Sequence, residues 1–114
     1  MPYIGIKVSC EVNPEKELAL KSALGKAIAL IPGKSENHLM ICIDDKQNMY
    51  FRGKNNVPIA YAEVKIYGKS TDEAYSQMTA ELCGIFESIL GISPDCTYIK
   101  YEECYIWGYN GKNI

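Results

Sequence analysis

The sequence has a single histidine, His38, and its five cysteines never fall in a C-x-x-C pair. Structural zinc sites need several Cys or His ligands at short, paired spacings, so no metal centre is expected. Cys10, Cys42, Cys83, Cys96 and Cys104 are odd in number and widely spaced, which fits reduced thiols in a cytoplasmic protein better than a disulfide framework. No apolar run reaches the ~18 residues of a membrane span. Lysines are scattered, and the net charge is only −2, so neither a nucleic-acid footprint nor a patch for anionic membranes is expected. The opening MPYIGIKVSCEV lacks a basic segment, an apolar run and a small-residue cleavage site in sequence. It does not read as a secretory signal. A cytoplasmic location is therefore expected, with export lacking a signal peptide left open.

What is present is ordinary in amount and regular in arrangement. At 114 residues and 47% hydrophobic, the chain is sized for one domain over residues 1–114 with one core. A shift of 58 residues lays the first half on the second. Ile4, Ile6 and Val8 fall on Ala62, Val64 and Ile66. Leu20, Leu24, Ala27, Ile28 and Ile31 fall on Met78, Leu82, Ile85, Phe86 and Ile89, and Gly33 falls on Gly91. Identities are few, but the hydrophobic phase holds without a gap, which marks pseudo-repeats over about 2–45 and 58–103.

Each repeat reads as strand, helix, strand. Residues 3–10 alternate with a period of two, Ile4, Ile6, Val8 and Cys10 on one face, which predicts a strand with one buried face. Asn13 offers an N-cap, Pro14 suits the first helical turn, and Leu20 to Ile31 form a helical stripe that Pro32-Gly33 ends. Leu39–Ile43 is an apolar strand. In the second repeat, a strand over Ile59–Tyr67 precedes Ser70-Thr71-Asp72-Glu73, the spacing of a capping box in which Glu73 reaches back to the Ser70 amide. The stripe Ala74, Met78, Leu82, Ile85, Phe86 and Ile89 ends at Gly91, and Thr97–Tyr101 is the last strand of the repeat. The polar stretch 46–57 reads as a loop with a short strand at Met49–Phe51.

Two such units predict an α/β (α+β) fold: a four-stranded sheet with both helices on one face. The other face would carry Gly5, Lys7, Ser9, Met40, Cys42, Tyr61, Glu63, Lys65, Tyr98 and Lys100, too mixed for a second core. Association of several subunits around a wet interior would half-cover that face and give the sheet edges partners, so an oligomer is expected.

Several short segments carry a family resemblance. They are Met1-Pro2 with Ile4, Gly33-Lys34 after the first helix, and Leu82-Cys83-Gly84. The longest is Gly91-Ile92-Ser93-Pro94-Asp95 leading to Tyr98-Ile99, and Gly108-Tyr109-Asn110 follows near the end. With the duplicated strand–helix–strand unit, the chain resembles the macrophage migration inhibitory factor family of the tautomerase superfamily along essentially its whole length. The resemblance implies a homotrimer with active sites at subunit interfaces. It implies keto–enol tautomerisation of α-keto acids such as phenylpyruvate, and no metal or organic cofactor.

The chemistry follows from that match. A proline freed by loss of Met1 is a secondary amine. Apolar surroundings and nearby lysines lower such an amine's pKa toward the working pH, where general acid–base catalysis is efficient. The resemblance makes Pro2 the catalytic base, with Tyr3 in the apolar wall around it. Lys34 matches a lysine that binds the substrate carboxylate or the developing enolate. Tyr98 matches a tyrosine entering the pocket from a neighbouring subunit. Four positions depart from the pattern: Tyr67 for a pocket isoleucine, Lys100 for an asparagine, His38 for a rim tyrosine, and Tyr109 for a rim tryptophan, with Trp107 two places earlier. The Tyr67 ring can reshape the pocket, and Lys100 adds a possible second cation beside a carboxylate. Where a C-x-x-C motif stands in the mammalian cytokine, this chain has Ile59-Ala60-Tyr61-Ala62, so thiol–disulfide activity from that motif is not expected. Two rival readings stay open: a cytokine-like protein that binds a receptor and carries a vestigial pocket, and a trimeric scaffold without a small-molecule site.

Overall fold

A computed structural model describes residues 1–114. The chain starts with β1 (Pro2–Val8), and proline suits this first position because it has no amide to donate to a ladder. Helix α1 (Pro14–Ala27) is capped as the sequence predicts, the Asn13 side chain accepting from the Lys16 amide at 2.8 Å. It tightens into a 3₁₀ turn at Ile28–Leu30 before Pro32-Gly33. Strand β2 (Met40–Asp44) follows a second 3₁₀ turn, Glu36–His38. The second repeat gives β3 (Ala60–Tyr67), α2 (Asp72–Leu90) and β4 (Thr97–Cys104). Helices α1 and α2 start at residues 14 and 72, the 58-residue shift read from the sequence. A short hairpin, β5 (Gly108–Tyr109) with β6 (Lys112–Asn113), ends the chain.

The four long strands form one sheet in the order β2-β1-β3-β4. Within each repeat the two strands are parallel, β1 with β2 and β3 with β4. The repeats meet along antiparallel β1 and β3, so the duplicated units are related by a pseudo-twofold through the sheet centre. Both helices pack on one face. Alternate residues of β1 (Ile4, Ile6, Val8) and β3 (Ala60, Ala62, Val64, Ile66) meet Leu20, Leu24 and Ile28 of the first helical segment and Met78, Leu82 and Phe86 of α2. Nineteen buried residues from both repeats form a single cluster, so neither repeat has a core of its own. No charged or polar residue is buried with them. No helix is long and apolar enough to cross a membrane.

Three sequence expectations change. The stretch Met49–Phe51 is not a strand; only an isolated bridge joins Phe51 to Lys54. Tyr50 is exposed and Phe51 packs on the core and on Tyr98 through its ring, and no further strand pairs with this stretch to make a ladder. Helix α2 is capped by Thr71, whose hydroxyl accepts from the Ala74 amide at 3.1 Å, and Ser70 is not the cap. The Ser70 amide instead donates to Glu103 on β4 at 3.1 Å, in place of the expected Glu73. Glu103 also accepts from the Tyr75 hydroxyl at 2.6 Å. Burial and that bond to a carboxylate push the Tyr75 phenol up to about 12. Finally, β4 runs on to Cys104, because β3 pairs with it along its whole length. Gly91 does close α2 in the left-handed conformation, at φ 70°.

The second face of the sheet is the mixed one the alternation predicts. Cross-strand register sets Tyr3 beside Met40 and Lys65, Gly5 beside Cys42 and Glu63, and Tyr61 beside Lys7 and Tyr98. Met40 and Tyr98 are both about two thirds exposed, so the chain's own elements leave this face open.

Candidate active site

The start of β1 borders a cavity of about 620 Å³, within the range of small-molecule sites. Its walls come from four parts of the chain. Met1, Pro2 and Tyr3 come from the chain start, and Asn37, His38, Leu39 and Met40 from the turn into β2. Lys65 projects from β3, and Trp107, Gly108 and Tyr109 come from the tail. The tail is shaped for this by its turn: Asn110 and Gly111 both take positive φ, the two-residue geometry that matches strand twist. The Ile114 amide donates to the Trp107 carbonyl at 3.0 Å and closes the hairpin.

Pro2 pairs with Ile66 across β1 and β3, which places it at the end of β3 where Tyr67 begins the turn into Gly68. The Tyr67 amide donates to the Met1 carbonyl at 3.0 Å. Lys34 reaches the same corner after the turn at Gly33 (φ 83°) and donates from Nζ to the Tyr67 carbonyl at 2.9 Å. The Met1 amine is held below the ordinary α-amino value. Burial is the main cause, followed by the charge of the adjacent Lys34 and a hydrogen bond to it. An amine at this corner is therefore easier to keep neutral than one in water.

Tyr3 lies flat on the open face of the sheet. A Cβ at Gly5 would sit 2.6 Å from the Tyr3 hydroxyl, so the glycine makes room for the ring. The Lys65 ammonium stands 5.9 Å from the centre of the same ring. Burial, then Cys42 and the carboxylates Glu63 and Asp44, raise the Tyr3 phenol, which stays protonated as a donor.

Of the residues singled out in the sequence, Pro2, Tyr3, His38, Trp107 and Tyr109 line one cavity. Lys34 and Tyr67 adjoin the chain start at Met1 but are not among the residues that line the cavity. Tyr98 and Lys100 are elsewhere. Tyr98 pairs with Tyr61, which pairs with Lys7, so it lies two strands over and five residues along from Pro2. That is roughly 20 Å at ordinary strand spacings. Tyr98 packs edge-on against Phe51 at 5.0 Å, and Lys100 pairs with Glu102 at 3.4 Å. Lys65, Met40, Leu39 and Asn37 line the cavity without having been singled out. Lys65 and Met40 were on the predicted open face, but their approach to Pro2 depends on the β1–β3 and β1–β2 registers. No cluster of three or more His, Cys, Asp or Glu side chains is placed to hold a metal ion.

Comparison with known proteins agrees with this geometry. The macrophage migration inhibitory factor (MIF) family model matches residues 1–113. Mouse macrophage migration inhibitory factor is 30% identical over 95 residues, covering 82% of each chain. MIF2 of Leishmania major superposes with a TM-score of 0.92 at 27% identity, covering 100% of this chain and 97% of the other. The homologue from Prochlorococcus marinus superposes with a TM-score of 0.81 at 29% identity, covering 97% of each. With the family model matching nearly the whole chain and the fold in agreement, the chain belongs to the macrophage migration inhibitory factor family of the tautomerase superfamily.

Proposed function

We propose that the protein is a keto–enol tautomerase of α-keto acids such as phenylpyruvate, with Pro2 as general acid and base once Met1 is removed. The observation that carries this reading is the corner around Met1. Its carbonyl oxygen accepts from the Tyr67 amide, and its amine adjoins the Lys34 ammonium. A carbonyl oxygen lies only about 2.3 Å from the nitrogen it acylates. Loss of Met1 thus frees an amine with an N–H aimed close beside it and a lysine cation adjacent, where the chain start borders an aromatic-walled cavity. A keto acid's oxygens can take the place of the Met1 carbonyl.

The neutral Pro2 nitrogen removes a proton from the carbon next to the ketone. The C–H pair becomes the new C=C bond, and the carbonyl π pair moves onto oxygen. The Tyr67 amide and Lys34 stabilise that developing charge. The ammonium formed on Pro2 then returns its proton to the oxygen, and the amine is neutral again.

The pH dependence tests this assignment. Pro2 works as a base only when neutral, so kcat/KM should fall as pH drops through its pKa. Lys34→Ala removes a neighbouring cation and should move that limb to higher pH while raising KM for the keto acid. At the Met1 amine burial outweighs Lys34 as the cause of the lowering, so a partial shift is expected at the adjacent Pro2 nitrogen. A profile that does not move in the variant contradicts a link between Lys34 and the base.

We further propose a homotrimer in which a neighbouring subunit's sheet covers the open face. Its support is the exposed Tyr98, roughly 20 Å from its own chain's Pro2 at ordinary strand spacings and thus available only to another copy's cavity. Light scattering should report three chains; the mass of one chain contradicts the interface site.

A further inference from the structure

We propose that Lys65 binds a second anionic group on the substrate, so that the cavity prefers keto acids carrying a carboxylate at each end. This rests on the tautomerase reading above. The open face of the sheet carries several charges, and most are already satisfied in pairs. Asp44 pairs with Lys7 at 3.5 Å, and Glu102 with Lys100 at 3.4 Å. Glu63 accepts from the Tyr61 hydroxyl at 3.3 Å. Lys65 takes part in none of the four ion pairs of the chain, although Glu102 stands opposite it in the β3–β4 register. Lys100 occupies that carboxylate instead.

Lys65 therefore brings a half-buried, uncompensated cation to the cavity wall of a chain whose net charge is −2. Its neighbour there is the face of Tyr3, 5.9 Å away, which favours a cation without neutralising it. Lys34 supplies another cation outside the ion pairs, donating to the Tyr67 carbonyl beside the Met1 amine. Residues 65 and 67 share one face of β3 and lie about 7 Å apart along the strand. A keto-acid carboxylate held near Lys34 leaves the far end of the substrate toward Lys65, where a second carboxylate would meet a cation outside the ion pairs. Lys100, the possible second cation suggested by the resemblance, pairs with Glu102 within the chain, and Lys65 adds a cation at the chain's own cavity.

The test compares phenylpyruvate with 4-carboxyphenylpyruvate, which differ by one carboxylate. The wild-type protein should show a kcat/KM for the dianion at least about tenfold above the monoanion, the scale of one charge-assisted hydrogen bond. Lys65→Met should erase that ratio, and Lys65→Arg should keep it. A ratio unchanged in Lys65→Met, or a wild-type ratio near one, overturns the assignment. If neither compound turns over, the tautomerase reading fails, and calorimetry decides the Lys65 question separately with 4-carboxyphenylacetate and phenylacetate. Tighter wild-type binding of the dicarboxylate, lost in Lys65→Met, supports it. Equal binding, or no binding of either, overturns it.

Discussion

Replacing Pro2 by glycine should lower kcat/KM for phenylpyruvate tautomerisation by about 10²–10⁴-fold, the usual contribution of a positioned acid–base group. Glycine keeps a free amine at the chain start, so the loss measures the quality of the base rather than its presence. A primary amine on a flexible residue is less basic than proline's ring nitrogen and less fixed in direction. Proline's locked φ also holds β1 at its first residue, where Pro2 pairs with Ile66. Pro2→Ala separates these effects, because it restores a side chain while remaining a primary amine. Pro2 is buried but lies outside the core cluster, so far-UV circular dichroism should stay near wild type and the unfolding midpoint should fall only slightly. Undiminished turnover in Pro2→Gly would place the proton transfer on another residue.

Phe86→Ala should destabilise the fold by about 3–5 kcal/mol, the range for removing a buried aromatic side chain. Phe86 is fully buried and is the largest such side chain in the chain. It belongs to the one cluster that both repeats share, so the cavity would open where the two halves meet. A typical domain has only about 5–15 kcal/mol in total, so much of the population should unfold under mild denaturant. Urea unfolding read at several protein concentrations checks this, because any oligomer adds a concentration-dependent term. A loss below about 1 kcal/mol would mean that the surrounding Leu, Ile and Met side chains collapse into the space.

Much of this architecture can be read from residue spacing because burial is one-sided. Ile4, Ile6 and Val8, and Ala62, Val64 and Ile66, alternate with solvated residues, so their period of two survives in the sequence. The helical stripes and the Gly91 stop survive for the same reason, being set by local geometry. What fails is what distant residues decide. Ser70 and Thr71 are both competent caps, and Glu103, 33 residues away, settles the matter by taking the Ser70 amide. The strand at Met49–Phe51 has plausible residues but no neighbour to pair with.

The site shows the same division. Pro2 and Lys34 stood out as matches to the family pattern, and Tyr67, His38, Trp107 and Tyr109 as departures from it; the chain brings them to one end of the β1–β3 pair. Lys65 carries no such mark. Two parallel strand–helix–strand units do not say how they join, and only the antiparallel β1–β3 register sets Lys65 against Tyr3. Lys100 was marked only by the resemblance, and within the chain it pairs with Glu102. Tyr98 and Lys100 stay far from Pro2 within one chain, since the β3–β4 register sets them opposite Tyr61 and Glu63.

The catalytic proposal turns on whether the nitrogen of Pro2 is free. Within the structure, the Met1 carbonyl occupies the place beside the Tyr67 amide that a substrate oxygen would need. An acylated proline nitrogen has no basic lone pair, so Met1 both blocks the oxygen site and silences the base. The decisive measurement is kcat/KM for phenylpyruvate on two preparations separated by intact mass, one beginning at Pro2 and one retaining Met1. Activity confined to the Pro2 form, with the Met1 form at least about 10²-fold slower, is the predicted result. Equal rates from the two forms would contradict a proline base.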